Sequence, residues 1–543
     1  MNNRFLLFFH SLFLASLVFI TGCSKTSETP VDIGNREQIL HIGNGDEPQD
    51  IDPHVTTGLP EFHIQSALFE GLVSKDPKTL DVIPGVAESW EVSEDGRTYI
   101  FKIRETARWS NGENITAKDF VDSYERALLP KLGNQYAYSL HVIENAKAFN
   151  LGEISDFSVV GIKAVDDRTL EFKLTNRVPY FLQLLDHHSM YPVHVPTIKK
   201  HGEIDRRGNR WTRAENFVGN GPFVIKEWKI NSIFSVKKNP YYWDSENVKL
   251  NEIHFYPIQD TAAEERMYRA GQLHKVNDIP VEKVPVYREK NYPGFRQFPK
   301  FATYFYRFNT TIEPLNDVRV RKALAYSIDR VTLVEKVTKG GQLPAYNFTP
   351  LDTNGYTAEA QVSYDPELAR QLLAEAGYAN GEGFPKLTIL YNTMESHKKI
   401  ALAFQQMWKK ELNVDVQLEN QDWKVYLANQ RAMNYQIARA AWVGDYYDVN
   451  TFLDMFVKDG GNNETGWFNP EYDKAIELAA QSETQQERYE HFQRAEAILI
   501  DELPIMPVYF YMGSTLIRES VKGWHDNALD FYSYKGVYLE ADK

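Results

Sequence analysis

Two hydrophobic periods alternate along this chain, and a fold of one secondary-structure class cannot accommodate both. SWEVSEDGRTYIFKIR, residues 89–104, repeats every second residue on either side of a Ser93–Gly96 turn, the pattern of a β-hairpin. YDPELARQLLAEAGY, residues 364–378, carries the helical period instead. Asp365 can cap it, Pro366 fits its first turn, Leu368 and Leu372 share a face, and Gly377 stops it. HKKIALAFQQMWKKEL (397–412) and TQQERYEHFQRAEAILI (484–500) continue the helical pattern, and PIMPVYFY (504–511) is a strand bounded by proline. No internal repeat or low-complexity tract interrupts the alternation. At roughly 150 residues per domain, 543 residues predict several domains of mixed α/β or α+β character.

The N-terminus bears on where the chain folds. MNNR gives one early cation, and FLLFFHSLFLASLVFI gives an apolar run too short and too N-terminal for a permanent anchor. The run ends in ITGC, and Cys23 is the only cysteine. The pattern resembles a bacterial lipoprotein signal. Residues 1–22 are then removed, Cys23 carries the lipid, and residues 23–38, including SKTSETPVDIGNREQ, form a flexible tether. A plain secretion signal with an incidental cysteine is the alternative. The expectation is an exported protein without disulfides, held at the cell envelope by acyl chains worth ~0.8 kcal/mol per buried CH₂. Ser24 resembles an outer-membrane sorting signal in a cell with two membranes.

A net charge of −14 argues against nucleic acid, because binding phosphates needs a basic surface. No H-E-x-x-H, G-x-S-x-G or G-x-x-x-x-G-K-[ST] motif occurs, and the single cysteine is committed to the lipid site, so no enzyme is expected. DHHSMYPVH (186–194) holds three histidines, but their spacing matches no regular zinc pattern, and a structural role is the expectation. No cofactor is expected.

Several stretches together resemble the peptide- and oligopeptide-binding family of solute-binding lipoproteins that serve ABC importers. They are GVAESWEVSEDGRTYIFKIRETARWSNGENITAKDF (85–120), GNGPFVIKEW (219–228), PLNDVRVRKALAYSIDR (314–330), YDPELARQLLAEAGY, and ARAAWVGDYYDVNTFL (438–453). The resemblance runs from about Ile39 to the C-terminus. It implies a mixed α/β, two-lobed periplasmic binding protein fold of three domains, the first discontinuous: 39–73 with 197–301 and 513–543, then 74–196, then 302–512. It also implies a monomer that captures short peptides between its lobes and presents them to separate permease and ATPase chains.

A peptide of arbitrary sequence offers a main chain, an ammonium and a carboxylate. Strand addition holds the first whatever the sequence, and charged side chains meet the ends. On the resemblance, Asp445 binds the ammonium in a W-x-x-D arrangement after Trp442, which walls a side-chain pocket, and residues 439–444 present strand backbone. Read alone, Asp445 is a turn or cap residue and Trp442 is core. Asp448 reads as a turn or capping group. Arg439 and His397, forty-two positions apart as in the oligopeptide branch, receive carboxylates, and Trp423 is the second pocket-wall tryptophan. Glu61 of LPEFHI, with His63, and Tyr136 of NQYAYSL match ligand-lining segments. TYFYRF (303–308) matches a cleft-lining strand through Tyr304, Phe305 and Tyr306.

The chain also departs from the family. Thr338, followed by Lys339, stands where oligopeptide binders often place a lysine; Gln430, then Arg431, where an arginine often lies; Ala441 where a glycine does; and Ala302 with Val443 where some relatives carry a cysteine pair. The first three leave peptide length open, and with it a specialised ligand: a murein peptide, haem or a metal chelate.

Overall fold

The computed structural model describes residues 28–458 and 460–540. The expected signal segment and Cys23 lie outside the described residues. Among the described residues no helix is long and apolar enough to cross a membrane.

Three main sheets, each with its own core, build the body. The first orders Ile39–Gly43, Glu252–Tyr256, Ile233–Lys238 and Phe223–Lys229. Its two sequence-distant members pair in parallel, Ile39 opposite Glu252. Leu40, Ile42, Ile253 and Phe255 bury their side chains with Trp524, Tyr534 and Val537 from the C-terminal segment. This layer therefore gathers widely separated parts of the chain.

The second sheet is antiparallel, Ala87–Val92, Thr98–Ile103, Thr169–Lys173 and Ile162–Asp166, covered by helix Ala117–Leu128. The expected hairpin closes at Gly96 (φ +67°), with Ser93 N–H donating to Thr98 O at 2.9 Å. Alternation is strict only on its second strand, where Tyr99, Phe101 and Ile103 are buried; Val92 on the first is 45% exposed.

The third sheet has six strands in the order Leu343–Pro344, Ile505–Leu516, Phe295–Phe308, Ile437–Val443, Leu387–Asn392 and Val416–Gln421. Side chains leave its faces alternately, as the pleat requires. Tyr304, Tyr306 and Phe308 pack with Phe404 and Trp408 of helix Glu395–Leu412. Phe305, Ala440 and Trp442 pack with Phe492 and Leu499 of helix Gln485–Glu502. Tyr304, Phe305 and Tyr306 were expected to line the cleft; all three are fully buried, because this strand lies between two helical layers.

Two long strands of the third sheet reach toward the first. Phe295–Phe308 and Ile505–Leu516 pair antiparallel from Phe295↔Leu516 to Arg307↔Ile505, with a register shift between Pro299 and Thr303. At their outer ends Val276 N–H donates to Leu516 O at 3.0 Å, tying them to the first sheet's neighbourhood. Ala302 and Val443, the positions of the missing cysteine pair, stand directly opposite each other in register.

Two local expectations change. Asp365 does cap its helix, accepting from Leu368 N–H at 2.9 Å, but Ala369 and Leu373 form the buried face and Leu368 is exposed. The segment read as a tether up to residue 38 is not flexible throughout: Pro30–Glu37 is helical, with a Thr29/Asp32 capping box. Val31 N–H donates to Gly271 O at 3.0 Å, and Asn35 Oδ1 lies 3.2 Å from His274 Nε2. The spacer-like composition hid a capped helix docked against Gly271 and His274.

Candidate functional site

The strand Ile437–Val443 is paired unequally on its two sides. Along one edge it meets Phe295–Phe308 over its whole length, from Ile437↔Phe308 to Val443↔Ala302. Along the other, pairing with Leu387–Asn392 covers only Ile437 and Ala438. From Arg439 onward this second edge borders a cavity of about 320 Å³ between the lobes. An exposed run of backbone donors and acceptors in a cleft is a template for an added strand. One of its acceptors is already engaged: the Tyr426 hydroxyl and Gln430 Nε2 (3.0 Å) both donate to Arg439 O.

Asp445 stands at one end of this edge. The chain turns there because Thr451 Oγ1 accepts from Asp445 N–H at 3.0 Å and donates to Asp445 Oδ2 at 3.2 Å. Its other oxygen, Oδ1, lies 3.1 Å from His187 Nε2. Trp442, mostly buried, donates its indole N–H to Thr451 O at 2.6 Å, and its ring lies 6.1 Å from that of Tyr136. Tyr136 packs in turn on His187, ring centroids 4.3 Å apart. Asp445, Trp442, Tyr136 and His187 thus form one wall. Asp448 lies behind it: it caps Asn450 N–H at 2.9 Å and holds Arg488 in a bidentate pair at 2.6 and 2.8 Å.

Arg439 stands at the other end. Its Nη2 donates to Tyr511 OH at 2.8 Å, its Nη1 to Asn392 Oδ1 at 3.3 Å, and the guanidinium lies 4.9 Å above the Tyr304 ring. Nε is buried with no acceptor. A guanidinium stays protonated, so this is a fixed positive charge held by neutral groups, as a site for a carboxylate requires. His397 lines the cavity nearby, its Nδ1 3.3 Å from Tyr304 OH. Burial, reinforced by Arg439, pushes its imidazole well below the usual range, which favours the neutral form.

Six of the eight expected ligand residues therefore line one cavity: Asp445, Trp442, Arg439, His397, Trp423 and Tyr136. Two do not. Glu61 is 0% exposed; it accepts Gln49 N–H at 2.7 Å, and burial raises its carboxyl to about 7. Tyr304 supports Arg439 and His397 from within the sheet.

Thr338 and Gln430, the two departures from the family's cations, also line the cavity as neutral groups. Arg431 does not take over from Gln430: its Nε donates to Gln135 Oε1 at 2.6 Å. The histidines of residues 186–194 take separate partners. His187 faces Asp445, His188 Nε2 lies 3.1 Å from Thr56 O, and His194 Nε2 lies 2.8 Å from Glu113. Among the described residues no group of three or more His, Cys, Asp or Glu side chains could hold a metal ion. Sequence reasoning missed Asn392 and Tyr511, which hold Arg439, and read the segment of His187 as structural.

Residues 81–464 match the family described as bacterial extracellular solute-binding proteins, family 5 Middle. The periplasmic murein peptide-binding protein MppA of Escherichia coli is 37% identical over 535 residues, covering 96% of each chain. Among solved structures, Haemophilus influenzae OppA in complex with RPPGFSPFR superposes with a TM-score of 0.88 at 35% identity, covering 93% of this chain and 99% of that one. The unliganded open form of MppA, the periplasmic murein tripeptide binding protein, reaches 0.62 at 36% identity, covering 93% and 97%. The lobes here are arranged as in the peptide complex more than as in the open form.

Proposed function

This chain belongs to the family 5 bacterial extracellular solute-binding proteins, and from that premise we propose that it captures short peptides between its lobes and delivers them to an ABC importer. The observation that carries the reading is the open edge of Ile437–Val443, bounded by a carboxylate at Asp445 and a guanidinium at Arg439. A peptide added to that edge takes main-chain hydrogen bonds irrespective of its sequence. Its ammonium replaces or shares His187 as partner of Asp445, and its carboxylate reaches Arg439, with His397 as a neutral neighbour. Trp442, Trp423 and Tyr136 wall the space for side chains, and trapped water adapts that space to different residues.

No covalent step is involved. Closure of the lobes is favoured by the contacts the peptide makes with both sides. The reading places the protein outside the cytoplasm, attached through acylated Cys23, working as a monomer with separate permease and ATPase chains. Replacing Cys23 by serine releases it from the membrane fraction on this account. The test of the ligand class is mass spectrometry of small molecules released by denaturing protein purified from its own cells. Peptides of a few residues are the expected result. Haem or a metal chelate, with peptides absent, overturns the reading.

A further inference from the structure

The core of the second sheet holds one side chain from a distant part of the chain. Among the described residues, its buried members run from Leu72 to Met190, with the single addition of Tyr446. Tyr446 directly follows Asp445, just beyond strand Ile437–Val443 of the third sheet. Its ring stacks on Tyr180, with centroids 4.9 Å apart and planes 6° from parallel. Tyr180 leads into helix Phe181–Leu184, and the two residues are only 2% and 6% exposed. The guanidinium of Arg488, oriented by its bidentate pair with Asp448, lies 5.2 Å from the Tyr180 ring as well. Neither tyrosine is part of the cavity wall, so a peptide held there touches neither.

Polar contacts join the same two parts of the molecule. Gln135 Nε2 donates to Gly461 O at 3.2 Å and to Glu464 Oε1 at 3.0 Å. Water replaces such partners when two surfaces part, so their net contribution to holding them together is small. The stacked rings have no substitute of that kind, because separating them returns two large apolar faces to water. The Tyr446 hydroxyl plays no part across the contact: it accepts from Asn450 Nδ2 at 2.9 Å, on its own side. The ring is therefore what joins the two sides.

We infer that Tyr446 is a positioning residue for ligand capture: by stacking on Tyr180 it stabilises the closed arrangement and sets affinity for every peptide by one common factor. The inference rests on the peptide reading, in which a bound peptide needs both sides of the cleft. Apparent affinity is the intrinsic affinity multiplied by the fraction of protein in the competent arrangement. Loss of the stack lowers that fraction and leaves each peptide's own contacts intact, so discrimination between peptides is unchanged. A side chain that only placed its neighbour Asp445 acts differently, because its loss falls on peptides with a free ammonium and spares acetylated ones.

The test is calorimetric titration of wild type, Tyr446→Ala, Tyr446→Phe, Tyr180→Ala and the double alanine variant. The probes are alanine tri- and tetrapeptides, each with a free and with an acetylated amino terminus. Tyr446→Ala weakens both forms at least tenfold and by the same factor, and Tyr446→Phe binds both as wild type does. Tyr180→Ala gives the same loss, and the double variant loses no more than either single one. If Tyr180→Ala does not fold, the two Tyr446 variants decide the matter alone. Unchanged affinity in Tyr446→Ala overturns the inference, as does a loss confined to the free-amine form or a loss that phenylalanine does not restore. Those results leave the peptide reading standing, whereas binding of neither form by wild type overturns that reading and this inference with it.

Discussion

The imidazole of His187 and the carboxylate of Asp445 meet across the cleft at 3.1 Å, the first capping the short helix His188–Met190 and the second just beyond strand Ile437–Val443. The contact gives Asp445 a partner within the protein, and on the proposed function the same carboxylate receives the peptide ammonium. A peptide ammonium arriving there competes for, or completes, an existing hydrogen-bonded group. Asp445→Asn keeps the shape and the Thr451 hydrogen bond but removes the charge. Affinity for free-amine peptides then falls by about 2–5 kcal/mol, the cost of leaving a buried ammonium unpaired. Titration of the variant, with its melting temperature as a folding control, checks this.

Arg439 gives the complementary prediction. Arg439→Met removes the fixed cation while filling much of its volume. Affinity for a peptide with a free carboxylate drops by about 2–3 kcal/mol, as for loss of a charge-assisted hydrogen-bonded pair. The same peptide as its carboxyl-terminal amide binds wild type and variant alike. A parallel loss for acid and amide contradicts the assignment.

Trp408 tests the layer behind the site. It is fully buried, fills the space between Tyr306 and helix Val318–Tyr326, and donates its indole N–H to Leu324 O at 2.9 Å. Trp408→Ala leaves a cavity and takes one donor from Leu324 O, which keeps the Ser327 hydroxyl, costing about 3–5 kcal/mol in denaturant unfolding. Peptide affinity at a temperature where the variant remains folded changes far less.

Stability depends on pH from two directions. Burial lowers His41 and His54 from 6.5 to about 4, so their contribution is present above 6.5 and lost as the pH falls through 4. Burial raises Glu264 from 4.5 to about 8 and Glu61 to about 7, so their contribution is present below 4.5 and lost as the pH rises through 7 to 8. The urea midpoint therefore peaks between pH 4.5 and 6.5 and declines on both sides. Glu264→Gln flattens the alkaline limb. A midpoint that still climbs between pH 6.5 and 8 contradicts this balance.

Much of this was legible in the sequence because period and punctuation act locally. The 93–96 turn, the Asp365 cap and the helix before Ile505 needed no tertiary information. What was hidden depends on which face of an element meets which layer. Tyr304 and Trp442 both sit on strands of one sheet, yet only Trp442 borders the cleft, because its own strand loses its neighbour after Ala438. Glu61 lies within the cleft-lining stretch but turns inward to Gln49. The histidine cluster at 186–194 gave no sign of which member matters; His187 acquires meaning only where folding sets it against Asp445, hundreds of positions away. The helix at Pro30–Glu37 was masked by polar composition, although Thr29 and Asp32 spell a capping box.

The account rests on recognition of a free peptide ammonium by Asp445. Its most direct test is calorimetric comparison of one peptide with a free amino terminus and the same peptide N-acetylated, on wild-type protein. The predicted result is a loss of at least tenfold, about 1.4 kcal/mol, on acetylation. Equal affinity for the two forms contradicts the account.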